Sequence, residues 1–157
     1  MKRPADISPG RLYRYSLFRS WDENLPIVLF IGLNPSTADE TKDDPTIRRC
    51  INFAKSWGFG GLYMANLFAY RATQPRDMKM AEDPIGSDND KTLLVLSQTA
   101  SLTVAAWSKD GKFKSRAQEV KAMIPNLYIL KLNNDGSPSH PLYLKKSLTP
   151  QSWNCNA

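Results

Sequence analysis

Ile27-Val28-Leu29-Phe30-Ile31-Gly32-Leu33 runs without a break into Asn34-Pro35-Ser36-Thr37. An unbroken apolar, β-branched run closed by a polar turn predicts a strand buried on both faces, as at the centre of a parallel sheet. After the turn, Asp44-Pro45 opens a helix. The aspartate is suited to capping free N–H groups, and the proline sits where a missing N–H costs nothing. Ile47, Ile51, Phe53, Ala54 and Trp57 fall on the inward face, and Gly58, Gly60 and Gly61 close the helix. Leu62 to Leu67 then reads as a second core strand.

The pattern repeats downstream. Helices are predicted over Asp88 to Ala100 and over Phe113 to Ile124, the latter stopped by Pro125. Strands are predicted over Leu102 to Trp107 and Leu127 to Leu130. Alternating strand and helix predict a three-layer α/β/α domain with a mainly parallel central sheet of about four strands. Tyr13 to Trp21 alternates aromatic and basic residues, so residues 1–26 are expected to form an edge strand or hairpin. Residues 145–157 are expected as a C-terminal tail, with a short helix or coil.

A chain of 157 residues fits a single α/β domain over 1–157. Its 41% hydrophobic and 23% charged composition is ordinary for a soluble globule, and no apolar run approaches the roughly 20 residues of a membrane span. No membrane partner is expected. The charged start, with no apolar stretch after it, is unlike a secretory signal, so the expected location is the cytoplasm. Cys50 and Cys155 fit neither a disulfide framework nor a zinc site, and both thiols are expected to be reduced. The net charge of +6 suits a phosphate-rich partner. Arg11, Arg14 and Arg19, then Lys109, Lys112, Lys114 and Arg116, then Lys145 and Lys146, form a phosphate-tracking surface if they converge, and solvated basic faces if they do not.

Ligands of open parallel sheets bind beyond the carboxyl ends of the strands. The first end offers Gly32, Asn34 and Pro35: glycine permits close approach, proline stiffens the turn, and the amide can donate and accept. The second offers Asn66, followed by Arg71, Thr73 and Arg76 as candidate phosphate contacts. The loop after the fourth strand holds His140, the chain's one histidine, between Ser139 and Pro141. Turn-forming roles are the alternative for each. Phosphate-cradling, dinucleotide and esterase motifs are absent. Asp39, Glu40, Asp43 and Asp44 have the chemistry for Mg²⁺, but helix capping and solvation account for them better. No metal and no cofactor is expected.

Gly32-Leu33-Asn34-Pro35, the strand from Leu62 with Asn66 inside it, and Ser139-His140-Pro141-Leu142 resemble, in order, the motifs of the uracil-DNA glycosylase superfamily, especially its mismatch-specific branch. The chain as a whole, through Arg14-Tyr15-Ser16-Leu17, Gly32 to Arg49 and Ala65 to Thr73, also resembles a bacterial and phage domain family of unknown function. The first resemblance implies a glycosylase-like fold and a hydrolase that cleaves the N-glycosidic bond of an altered base in DNA or a nucleotide. A non-catalytic nucleobase or nucleic-acid binding module of the same fold is the alternative. Asn34 would position water, Asn66 would read the base edge, and His140 would stabilise charge on the departing base. Phe68 or Tyr70 would stack on the base, Ser139 would contact the nucleic acid, and Leu142 and Tyr143 would form a wedge. The chain departs from the superfamily pattern in carrying an amide rather than a carboxylate at position 34, and Leu142 where serine is usual.

Overall fold

The computed structural model describes residues 1–153, so Cys155 and the end of the expected tail lie outside the described residues. The described strands form one mixed seven-stranded sheet. They are β1 (Ala5–Ile7), β2 (Arg14–Ser20), β3 (Ile27–Gly32), β4 (Gly61–Asn66), β5 (Leu102–Ala105), β6 (Leu127–Ile129) and β7 (Gln151–Ser152), in the order β1-β2-β4-β3-β5-β6-β7. The four predicted core strands are β4, β3, β5 and β6, mutually parallel at the centre. The expectation of about four mainly parallel strands is corrected at both margins, where β1, β2 and β7 pair antiparallel.

Strand alternation divides the core into two layers. Val28 and Phe30 of β3, with Leu62 and Met64 of β4, pack on Ile47, Ile51 and Phe53 of helix α1 (Pro45–Ser56). Leu29 and Ile31 face the opposite way, towards Leu93 and Leu96 of α3 (Asn89–Thr99) and Val120 of α4 (Arg116–Met123). Asp44 caps α1 through Ile47 N–H, with Pro45 at its first turn, and the helix gives way to Gly58 at a φ of 86°. A short helix, α2 (Pro75–Lys79), lies between β4 and α3.

Other boundaries move for local reasons. The helix predicted from Phe113 begins only at Arg116. Phe113 is extended and Lys114 takes a φ of 55°, a kink within the 3-10 segment Lys109–Ser115 that precedes the helix. The tail expected as helix or coil instead supplies β7, and Trp153 packs on Trp107 with ring centroids 5.7 Å apart. No helix among the described residues is long and apolar enough to cross a membrane.

Within residues 1–26, expected as an edge strand or hairpin, β1 pairs antiparallel with β2, and β2 lies between β1 and β4. Its arginines point inward: Arg14 is 2% exposed and Arg19 is fully buried. Arg116 on α4 is likewise buried, so these three cations do not contribute to a phosphate-tracking surface. Arg19 satisfies groups that the irregular segment before α1 would leave unpaired. Its Nε donates to Asp43 at 2.9 Å, its Nη1 to the carbonyls of Arg3 and Phe18, and its Nη2 to those of Asp39 and Lys42. Replacing Arg19 with alanine is expected to cost about 3 kcal/mol of unfolding free energy, because it leaves Asp43 and several part-buried carbonyls without their donor. Lysine, lacking the planar fork, should recover little of that loss. Urea denaturation of the two variants checks both expectations, and near-native stability of either one contradicts the scaffold role.

Candidate functional site

The register of β3 on β4 sets Gly32 directly beside Asn66 at the carboxyl ends of both strands. Both chains continue in step past the sheet, with Leu67 N–H donating to Gly32 and Phe68 N–H to Leu33. Gly32 has no side chain to give up, and none would fit. A Cβ there would stand 3.0 Å from Asn66 Nδ2 and 3.1 Å from Met64 Cε. Above this junction opens a cavity of about 250 Å³, floored by Gly32 and Met64 and walled by the start of α1.

Asn34, Asn66 and His140 all line this cavity, although they come from three separate parts of the chain. The loops carrying the first two are zipped together. Ala72 N–H donates to the carbonyl of Pro35, while Asn34 Nδ2 donates to the carbonyls of Ala72 at 2.8 Å and Pro35 at 3.1 Å. Two carbonyl acceptors around one end of the amide fix which end is nitrogen. Asn34 Oδ1 is left without a partner among the described residues and can accept from a ligand or water.

Asn66 is buried, and its backbone carbonyl is held by Asn89 Nδ2 at 2.9 Å. Asn89 and Arg116 both also donate to the next carbonyl, that of Leu67. The Asn66 side chain is held more loosely: Oδ1 accepts from Arg14 Nη2 at 3.4 Å, and Nδ2 has no protein acceptor among the described residues. Arg14 lines the same cavity and donates to Ala38 O at 3.0 Å, while its Nε is buried without a partner. Burial pulls the Arg14 guanidinium down to about 10, against the opposing pull of Asp44. It remains a cation at neutral pH.

His140 reaches the cavity from the C-terminal loop, at the start of a 3-10 turn over Pro141–Tyr143. Arg49 of α1 and Trp57 at its C-terminal cap tie the segment beyond it to the helix: Arg49 donates to Leu144 O, and Trp57 Nε1 to Leu148 O at 3.0 Å. His140 Nδ1 accepts from Leu142 N–H at 3.2 Å, which places the proton of the neutral ring on Nε2. That N–H has no protein acceptor among the described residues.

The remaining predicted residues are distributed around the cavity rather than within it, apart from Pro35 and Thr73, which line it. Tyr70, Arg71 and Thr73 line an adjoining groove of about 570 Å³, joined to the cavity through Ser36 and Thr73. Arg71 also braces the groove through Ser36 O. Arg76 is exposed on α2 and lines neither space. Tyr143 is 93% exposed beside the cavity loop, and Leu142 is half-buried.

Phe68 is a correction. The chain bends once β4 ends, and the ring enters the opposite core layer against Phe113, with no access to the cavity. Ser139 is also inside, donating its hydroxyl to Asn133 Oδ1 at 2.7 Å. It shapes the loop and is not presented to a nucleic acid. The acidic cluster divides its tasks: Asp39 and Glu40 face Arg11, Asp43 meets Arg3 and Arg19, and Asp44 caps α1 while lining the cavity. No group of carboxylates, histidines or cysteines among the described residues is arranged to hold a metal ion. Arg14 and Asp44 are the charged lining residues that the sequence pattern did not single out for the site. The alternation of β2 carried the signal for Arg14, since a basic residue in an interior strand must find partners inside.

The chain belongs to the DUF1643 family, described as a protein of unknown function, whose model matches residues 14–142. No curated protein and no solved structure matches it.

His140 is exposed at the surface, but partial burial of its ring lowers the pKa below the ordinary 6.5, with Asp44 pulling the other way. The imidazole should therefore stay neutral to lower pH than a free one. An unfolded chain takes up this proton near 6.5, so stability should fall as pH drops below that value and level off below the folded midpoint. The chain has one histidine, which makes its NMR titration unambiguous. A midpoint below 6.5 is expected, with the Leu142 amide shifting in step. A midpoint at or above 6.5 would contradict the placement of the ring.

Proposed function

We propose that this DUF1643 member is a uracil-DNA glycosylase-like hydrolase that cleaves the N-glycosidic bond of an altered base in DNA or a nucleotide. The observation that carries the reading is the meeting of Asn34, Asn66 and His140 in one cavity, each with a polar atom unclaimed by the protein. Its volume of about 250 Å³ lies below the roughly 300–1,000 Å³ of sites for drug-sized ligands, which suits a single base. The central parallel strands also put the cavity where open parallel sheets bind their ligands. In chain order they lie second, first, third, fourth across the sheet, with the cavity at the carboxyl ends of the first two.

The chemistry follows from the charges that develop. As the bond breaks, positive charge grows on the sugar and negative charge on the base. His140 Nε2–H donates to the departing base, with the buried Arg14 cation adding a favourable field. Asn66 Nδ2 donates to an acceptor on the base edge. Asn34 Oδ1, its nitrogen end pinned to two carbonyls, accepts from the attacking water and aims it.

A base in a duplex must leave the stack to enter such a cavity. Tyr143, almost wholly exposed three residues after His140, would fill the gap together with Leu142. The groove lined by Tyr70, Arg71 and Thr73 takes the adjoining backbone. Of the two acids lining the groove, Asp39 is paired with Arg11 while Asp77 has no ion pair among the described residues, and the cations Arg11, Lys42 and Arg71 outnumber them.

The test uses oligonucleotides and free nucleotides carrying uracil, hypoxanthine, xanthine or hypermodified pyrimidines. Release of at least one base is expected. Asn34→Ala should slow it about 100-fold, and His140→Ala about 100- to 1,000-fold. Gly32→Ala should also impair it, through the displaced Asn66 amide. Salt-sensitive binding with no base released from any substrate would instead favour a non-catalytic nucleobase-binding module.

A further inference from the structure

The proposed hydrolysis needs a group that takes the proton of the attacking water, and the cavity offers few. Amides such as Asn34 orient a water but do not deprotonate it. Arg14 is a cation, and Ser36, Thr46 and Thr73 contribute only hydroxyls. His140 has the right chemistry, but its basic nitrogen is already filled by Leu142 N–H and its other nitrogen carries the proton. Cys50 lies in the core layer under α1, and burial pushes its thiol far up.

One lining residue remains. Asp44 is the carboxylate of the cavity. Its Oδ1 accepts from Ile47 N–H at 2.8 Å, so the α1 N-terminus fixes the side chain, and its other oxygen has no hydrogen-bond partner among the described residues. We infer that Asp44 is the general base of this site, a task separate from its capping of α1. The assignment rests on the glycosylase reading above.

In this step the oxygen of water, aimed by Asn34 Oδ1, forms a bond to the anomeric carbon as the bond from that carbon to the base nitrogen breaks. The electron pair of the broken bond leaves with the base, held by His140 Nε2–H. The water proton passes to the free oxygen of Asp44. It is then returned through solvent to the base, which gives neutral base and a free sugar hydroxyl with no other reactant. The same carboxylate faces the positive charge on the sugar. Division of labour between Asn34 and Asp44 thus supplies what an amide at position 34 lacks.

Capping and catalysis separate in one pair of variants. Asparagine and serine cap helices about as well as aspartate, but neither accepts a proton from water. Asp44→Asn and Asp44→Ser should keep a melting temperature close to that of the parent chain and bind an abasic-site oligonucleotide with similar affinity. Their kcat for base release should fall about 100- to 10,000-fold, with KM little changed. If the parent chain releases base and either variant does so within about threefold of it, Asp44 only caps the helix and the inference is overturned while the glycosylase reading stands. If the parent chain releases no base from any substrate of the panel, both fall.

Discussion

Everything at this site depends on the parallel register of β3 and β4, which brings a residue without a side chain beside a buried amide. Gly32 opposite Asn66 makes the floor of the cavity, and the hydrogen bonds from Leu67 and Phe68 carry the pairing past the sheet into both loops. A shift by one residue would turn Asn66 to the opposite face. Because the loops leave in step, the Asn34 amide meets the Ala72 carbonyl and is oriented by the other strand's loop as well as by Pro35 of its own. The site is in this sense a property of a strand pair, and α1 and the His140 loop are built onto it.

Three buried arginines stabilise what that register leaves irregular. Arg19 gathers the carbonyls of Asp39 and Lys42 before α1, Arg14 takes that of Ala38, and Arg116 takes that of Leu67 after β4. A guanidinium offers five donors in a fixed plane, so one side chain satisfies several loop carbonyls that neither helix nor sheet can reach. The cost of burying the charge is offset where a carboxylate is near, as Asp43 is for Arg19 and Asp90 for Arg116. Arg14 makes no direct ion pair and keeps an unpartnered Nε, so it is the least compensated of the three. It is also the one that borders the cavity.

Much of this was legible in the sequence because the signals were local. An apolar run over Ile27 to Leu33 announces a central strand, and Asp44-Pro45 announces the start of α1. The three polar residues at strand ends were visible for the same reason. What the sequence concealed depends on partners far along the chain. β2 looked like an edge because its alternation includes arginines, and only the loop carbonyls explain why those arginines turn inward. β1 and β7 span three and two residues, too few for a periodic pattern to register. Phe68 follows Asn66 at strand spacing, but a bend after β4 sends it to the other layer, and no residue-level pattern marks that bend.

The polar groups of the cavity are not equally constrained, and the difference bears on how a ligand would be recognised. Asn34 is held by two carbonyls, and His140 by a backbone N–H within a loop tied to α1. The Asn66 side chain has one long contact, at 3.4 Å, from Arg14. An amide can turn over and exchange donor for acceptor, and with so weak a contact geometry alone does not prevent it. The charge on Arg14 does: a cation beside the amide favours the oxygen towards itself and leaves the nitrogen towards Gly32 and the cavity. Arg14 therefore sets the polarity that Asn66 presents, although Asn66 makes the contact. A neutral residue at position 14 would leave the cavity open and the amide present, but would release its direction, and with it the distinction between a ligand edge that accepts and one that donates.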